Sequence, residues 1–156
     1  MPLVATVRSV ALPVLLTLFA AAAVAADAPR TMRVEEAWAR ATPPGASVGA
    51  GYFELVNDGG EADRLVAAES PRAGRVMIHR TVEDDGSTRM EHQQDGVLVP
   101  PGARVSFSPG GYHLMLMQLQ APLEKGDTVP LTLRFERAGR VAVELEVRGL
   151  TAGSGD

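Results

Sequence analysis

The chain contains no cysteine. That absence excludes a disulfide framework, zinc fingers, iron–sulfur clusters and the blue-copper ligand set, all of which need a sulfur that only cysteine supplies. A basic stripe is also missing. Acids and bases are interspersed, the formal net charge is −4, and nucleic acid is not an expected partner. H-E-x-x-H does not occur, and no nucleophile–base pair stands out, so the chain reads as a binding protein rather than an enzyme. Convincing helical periodicity, internal repeats and a linker long enough to separate two domains are absent as well.

Residues 1–26 carry a different signal from the rest. Arg8 precedes an apolar run from Val10 to Ala26, which ends in the small residues Ala21-Ala22-Ala23-Val24-Ala25-Ala26 before Asp27. A basic residue, an apolar core and a small-residue exit describe a cleaved secretory signal peptide with its cut after Ala25 or Ala26. The alternative is an uncleaved anchor, although the run is near the short limit for spanning a bilayer. Cleavage removes one positive charge and takes the net charge from −4 to −5. About 130 residues remain, a single-domain size. Residues 27–150 are expected to form that domain, and 151–156 a short flexible tail of small and polar residues.

Within the domain, short apolar or alternating runs are broken by Gly, Pro and Asp. The expected strands run Thr31–Arg40, Val48–Asn57, Asp63–Ala68, Gly74–Val82, Ser87–Gln93, Gly96–Pro100, Arg104–Ser108, Tyr112–Gln120, Thr128–Glu136 and Val141–Val147. Strands at this spacing indicate an all-β sandwich or barrel.

The chemistry is concentrated late in the chain. All three histidines, and four of the six methionines, lie between positions 77 and 117. After the turn Pro109-Gly110-Gly111, a strand would place His113, Met115 and Met117 on one face. Met77 and His79, then Met90 and His92, sit upstream. Imidazoles and thioethers without a thiolate form a soft, neutral donor set that suits Cu(I) better than a hard cation. Taken singly, each of these residues is more often core or surface, and Met is a common gap-filler. The hairpin between the two upstream pairs bears on the question. If Asp85-Gly86 is a two-residue turn, His79 faces His92 directly and Met90 diagonally; a three-residue loop flips the parity. Periodicity alone does not choose between His79 with Met90, His79 with His92, and neither. The acids Asp84 and Asp85 read as turn residues rather than a hard-metal pair. Trp38, the single tryptophan, is either a wall of the site or a core or edge aromatic.

Two runs, Trp38-Ala39-Arg40-Ala41-Thr42-Pro43-Pro44-Gly45 and Gly49-Ala50-Gly51-Tyr52-Phe53, resemble the periplasmic copper chaperones called PCu(A)C. So do Asn57, Gly59, Gly60, Asp63-Arg64-Leu65-Val66, Ser70-Pro71 and the run Pro109 to Met117. The resemblance covers roughly Val34 to Val147. The family's histidine–methionine–His-x-Met motif reads here as His79, ten residues, Met90, twenty-two residues, His113-Leu114-Met115. The second spacer is one residue longer than the family's usual count, a difference that a loop or bulge absorbs.

The resemblance implies a cupredoxin-like, Ig-like β-sandwich or barrel binding one Cu(I) per chain near its surface. Carried over by position, the ligands are His79, Met90, His113 and Met115. Met77 and His92 are further candidates nearby that the motif does not require, and Met117, which fits the strand pattern, reads as support or core. The resemblance further implies a periplasmic location and delivery of copper to the binuclear copper-site subunit of cytochrome c oxidase, alongside Sco-type proteins. No small-molecule substrate is implied, and no second copper site is expected in Thr151 to Asp156. Three rival readings differ in kind. One is copper storage or resistance. Another is a β-sandwich interaction module without metal. The third is a mononuclear metal enzyme using His79, His92 and His113, with Glu91 as base.

Overall fold

The computed structural model describes residues 31–154. The expected leader, residues 1–26, lies outside that range. Among the described residues there are ten strands: β1 (Met32–Arg40), β2 (Val48–Asn57), β3 (Asp63–Glu69), β4 (Ala73–Asp84), β5 (Ser87–His92), β6 (Val97–Val99), β7 (Arg104–Phe107), β8 (Tyr112–Leu119), β9 (Thr128–Phe135) and β10 (Arg140–Arg148). Every run expected from alternation is a strand, with ends shifted by a residue or two where turns begin.

The strands pair as one sheet in the order β5-β4-β8-β7-β2-β1-β10-β9-β3-β6, and β8 also pairs with β2. Most pairs are antiparallel. The exceptions are β1 beside β10 and β7 beside β8. The inner face buries Phe53, Leu55, Leu65, Leu114, Leu116, Leu131, Leu133, Phe135, Leu145 and Val147 in one core. Phe53 stacks on Phe107 with ring centres 4.5 Å apart.

Polar residues fix the loops. Asn57 is buried because its amide closes the turn that follows it. Nδ2 donates to the carbonyls of Glu61 (2.8 Å) and Val99 (3.0 Å), and Oδ1 accepts from the Gly59 N–H (2.9 Å). Asp63, also buried, accepts the N–H groups of Arg137 and Ala138, each at 2.9 Å. Its charge is spent on orphan donors of the β9–β10 loop.

One parity differs from simple alternation. Met32 and Val34 pair with Asn57 and Leu55, but Trp38 pairs with Tyr52, with a register shift between Glu35 and Trp38. The extra residue is a bulge, and Glu36 sits there at φ 49°. The bulge turns Trp38 to the outer face, away from the side that Met32 and Val34 occupy. There it lies against Tyr52, ring centres 4.5 Å apart, with the Arg148 guanidinium 5.2 Å from its ring. Residues 151–154 lie against the same face, with Gly153 beside the Trp38 ring. Arg40 Nε donates to the Ala152 carbonyl at 3.0 Å, and residues 151–154 form a turn.

Candidate copper site

The site is built on β4, β5 and β8 at one end of the sheet. In β8 the inward positions are Leu114 and Leu116, so His113 and Met115 project from the opposite face. β4 runs antiparallel beside it. Met77 pairs with Met115 and His79 with His113. On the other side of β4, His79 pairs with His92 and Thr81 with Met90. Directly paired residues share a face. All the donors singled out in the sequence therefore stand on one side of three adjacent strands.

The hairpin turn decides this arrangement. Asp84 pairs with Ser87, leaving Asp85-Gly86 as a two-residue loop. Both residues have positive φ, 46° and 78°. That is the type I′ geometry which matches the twist of the flanking strands. Of the alternatives the sequence left open, the structure holds the even-parity one: His79 faces His92, with Met90 diagonal on the same side. Asp84 and Asp85 are turn residues, and Arg89 bridges to Asp84 at 3.5 Å.

His79 is the centre of the cluster. Its ring lies 5.4 Å from that of His92 and 5.9 Å from that of His113, centre to centre, nearly edge-on to both. Both of its ring nitrogens are buried and neither has a hydrogen-bond partner. Buried polar atoms are normally paired, and leaving one unpaired costs about 1–3 kcal/mol. Burial holds the His79 pKa below its ordinary 6.5, and the neighbouring imidazoles of His113 and then His92 push it the same way. The ring is thus kept neutral, the form that binds a metal. His113, only 5% exposed, has Nδ1 3.1 Å from the Gly111 carbonyl oxygen. With the proton on Nδ1, that contact leaves the Nε2 lone pair free. The Pro109-Gly110-Gly111 turn therefore orients a donor as well as starting the strand.

The thioethers lie beside the imidazoles. Met90, Met115 and His113 line one groove of about 480 Å³, walled also by Thr81, Tyr52 and Leu150. Met90 is 62% exposed, the most open of the large apolar side chains on the described surface. Met77 faces Met115 across the strand pair. Met117 pairs with Arg75, one step further from the imidazoles. Among the described residues, no three or more His, Asp or Glu side chains gather in a way that could hold a metal ion. A hard, oxygen-rich cation site is therefore not on offer among the described residues.

The groove walls were not apparent from the sequence. Tyr52 stands behind Ala50, which pairs with Met115 and leaves its side chain room. The small residues of Gly49-Ala50-Gly51 were the available signal. Leu150 comes from a distant loop and gave none, whereas Pro109 belongs to the Pro109-Gly110-Gly111 turn that the sequence places just before His113. Trp38 does not line the groove; at 9% exposure it backs Tyr52.

The LpqE-like family model matches residues 32–147, which is nearly all of the described chain. The chain belongs to the LpqE-like family. Among curated proteins, this LpqE-like chain is 33% identical over 117 residues to Lxx21020 of Leifsonia xyli subsp. xyli, covering 75% of the chain and 69% of that relative. It is 30% identical over 96 residues to RP573 of Rickettsia prowazekii, covering 62% of the chain and 53% of that protein. Two solved structures are similar throughout the fold. The copper-bound PCuAC domain from PmoF2 has a TM-score of 0.65 and 28% identity, covering 76% of this chain and 93% of that one. Cu(I)-DR1885 from Deinococcus radiodurans has a TM-score of 0.60 and 29% identity, covering 74% and 76%. The LpqE-like chain has the cupredoxin-like β fold of these domains.

Proposed function

We propose that this protein is a periplasmic carrier of Cu(I), which it passes to the copper-site subunit of cytochrome c oxidase. One ion would be held by His79, Met90, His113 and Met115. The observation that carries the reading is His79, with two buried, unpartnered ring nitrogens on a face shared with His113 and the two thioethers. Neutral thioethers and imidazoles favour Cu(I) and cannot be lost to disulfide formation in an oxidising compartment. The similarity to a copper-bound PCuAC domain and to Cu(I)-DR1885 supports the choice of metal. The exposed Met90 offers a route for handing the ion to a partner by ligand exchange.

A catalytic reading loses its base. Glu91 stands one residue from His92 and so faces the other way, where Arg89 donates to it at 2.8 Å and 3.0 Å.

The test is an anaerobic Cu(I) titration against a chromophoric chelator. The native chain should bind one tight equivalent, and His113→Ala and Met115→Ala should each weaken it by more than about tenfold, the scale that even outer-sphere losses reach. Binding indifferent to both changes would reduce these residues to packing. For the destination, a deletion strain should lose oxidase activity at limiting copper. A growth defect confined to excess copper would mark a resistance protein instead.

A further inference from the structure

His92 is the donor that the proposed Cu(I) set does not use. It stands directly opposite His79 on β5. Among the described residues this strand is the sheet edge, with β4 as its one neighbour. His113 stands opposite His79 on the other side. Three imidazoles thus lie in a row across β5, β4 and β8 at a single register level. Their ring centres are 5.4 Å and 5.9 Å from the central one. Imidazoles that share an ion through nitrogens about 2.0–2.1 Å from it have ring centres roughly 4.5–6 Å apart. Each spacing by itself suits an ion shared with His79, and all three rings reach one ion only when His92 and His113 swing toward each other.

The rings are not already gathered around one point. His79 has two free nitrogens, His113 is tied through Nδ1, and His92 is exposed. The backbone beside His92 is held, since the Gln93 N–H donates to the Ile78 carbonyl at 2.9 Å. Bringing His92 onto an ion at His79 therefore requires a side-chain turn on a fixed strand.

We propose that His92 makes this face a site for Cu(II) as well as Cu(I), with His79, His92 and His113 as the nitrogen donors of the Cu(II) form. The inference rests on the Cu(I) reading and extends it. Cu(II) prefers nitrogen donors in a tetragonal arrangement, whereas thioethers are soft ligands that it holds weakly. In the Cu(II) form Met90 and Met115 would be long or uncoordinated. In the Cu(I) form His92 would be released. Two overlapping donor sets that share His79 and His113 let one face hold copper in either state.

The experiment compares the purified native chain, His92→Ala and Met90→Ala, each checked for native circular dichroism. Cu(II) is titrated against a Cu(II) chelator and examined by electron paramagnetic resonance and its nitrogen couplings. Cu(I) is titrated anaerobically in parallel. His92→Ala should lose more than about tenfold in Cu(II) affinity and one coupled nitrogen, while its Cu(I) affinity stays within about threefold. Met90→Ala should do the reverse. Native Cu(II) affinity and nitrogen count in His92→Ala would overturn the proposal. So would an equal loss for both oxidation states, which would make His92 an ordinary ligand. If the native chain fails to bind Cu(I), the carrier reading fails, and the Cu(II) comparison still decides the role of His92.

Discussion

At the scale of single residues, the cost of the site falls on His79. Its ring is desolvated, flanked by two other imidazoles and without a hydrogen-bond partner, and its pKa is held below 6.5. The unfolded chain takes up that proton at the ordinary value; the folded chain does so only at lower pH. Above 6.5 neither state is protonated and nothing is lost. As pH falls through the folded pKa, the unfolded state binds more protons and stability drops. The apo protein should therefore show a lower denaturant midpoint at pH 5 than at pH 7, and His79→Gln should shrink the difference. The carboxyls of Glu35 and Asp58 are held low by hydrogen bonds from Arg104 and Arg33, and act in a more acidic window. Comparison of the two chains removes their common contribution. An equal fall in both chains would assign the pH dependence elsewhere.

At the scale of elements, the β4–β5 hairpin sets which donors meet. Inserting one residue between Asp85 and Gly86 would make a three-residue loop and turn Met90 and His92 to the other face. Cu(I) affinity should fall to that of Met90→Ala, while His113 and Met115 keep their places. Retained affinity would mean that a bulge had restored the parity. Glycines at positive φ divide by their surroundings in the same region. At Gly86 a Cβ would meet nothing within 4 Å, and Gly86→Ala should cost only the left-handed penalty of about 1–2 kcal/mol. At Gly96, which ends the loop after β5, a Cβ would lie 2.2 Å from the Leu65 carbonyl oxygen. Gly96→Ala should cost clearly more, above about 2 kcal/mol, in urea unfolding.

Much of this scale was legible in the sequence, since turn residues bound every strand and alternation names the inner face of β8, β9 and β10. The hairpin parity was legible only as a condition, because loop length depends on backbone angles at Asp85 and Gly86. The Glu36 bulge was not legible. Glutamate carries no sign that it will take a positive φ, and only the pairing of Trp38 with Tyr52 shows it. The groove walls escaped for a related reason: Tyr52 and Leu150 come together beside the Pro109 turn through long-range packing that no local pattern encodes.

At the scale of the whole molecule, the sheet puts the core on one face and the proposed copper donors on the other. Leu114 and Leu116 are fully buried in the core, while His113 and Met115, their chain neighbours, serve the opposite side. Stability and affinity should therefore be separable by mutation. Leu131 lies on β9, well across the sheet order from β4 and β8, and is buried among core side chains. Leu131→Ala should cost about 2–5 kcal/mol of folding free energy, yet bind Cu(I) as tightly as the native chain at temperatures where it remains folded. The coupling in the other direction is thermodynamic. A ligand that binds only the folded state adds RT ln(1 + [L]/Kd), about 2.7 kcal/mol at a free concentration one hundred times Kd. Anaerobic Cu(I) should then raise the Tm of the native chain and of Leu131→Ala by a similar free energy, and should barely move that of a His79→Ala, His113→Ala double variant. A Leu131→Ala chain that folds but loses Cu(I) affinity would show that the two faces are mechanically coupled, and the site would have to be treated as a property of the whole sheet rather than of three strands.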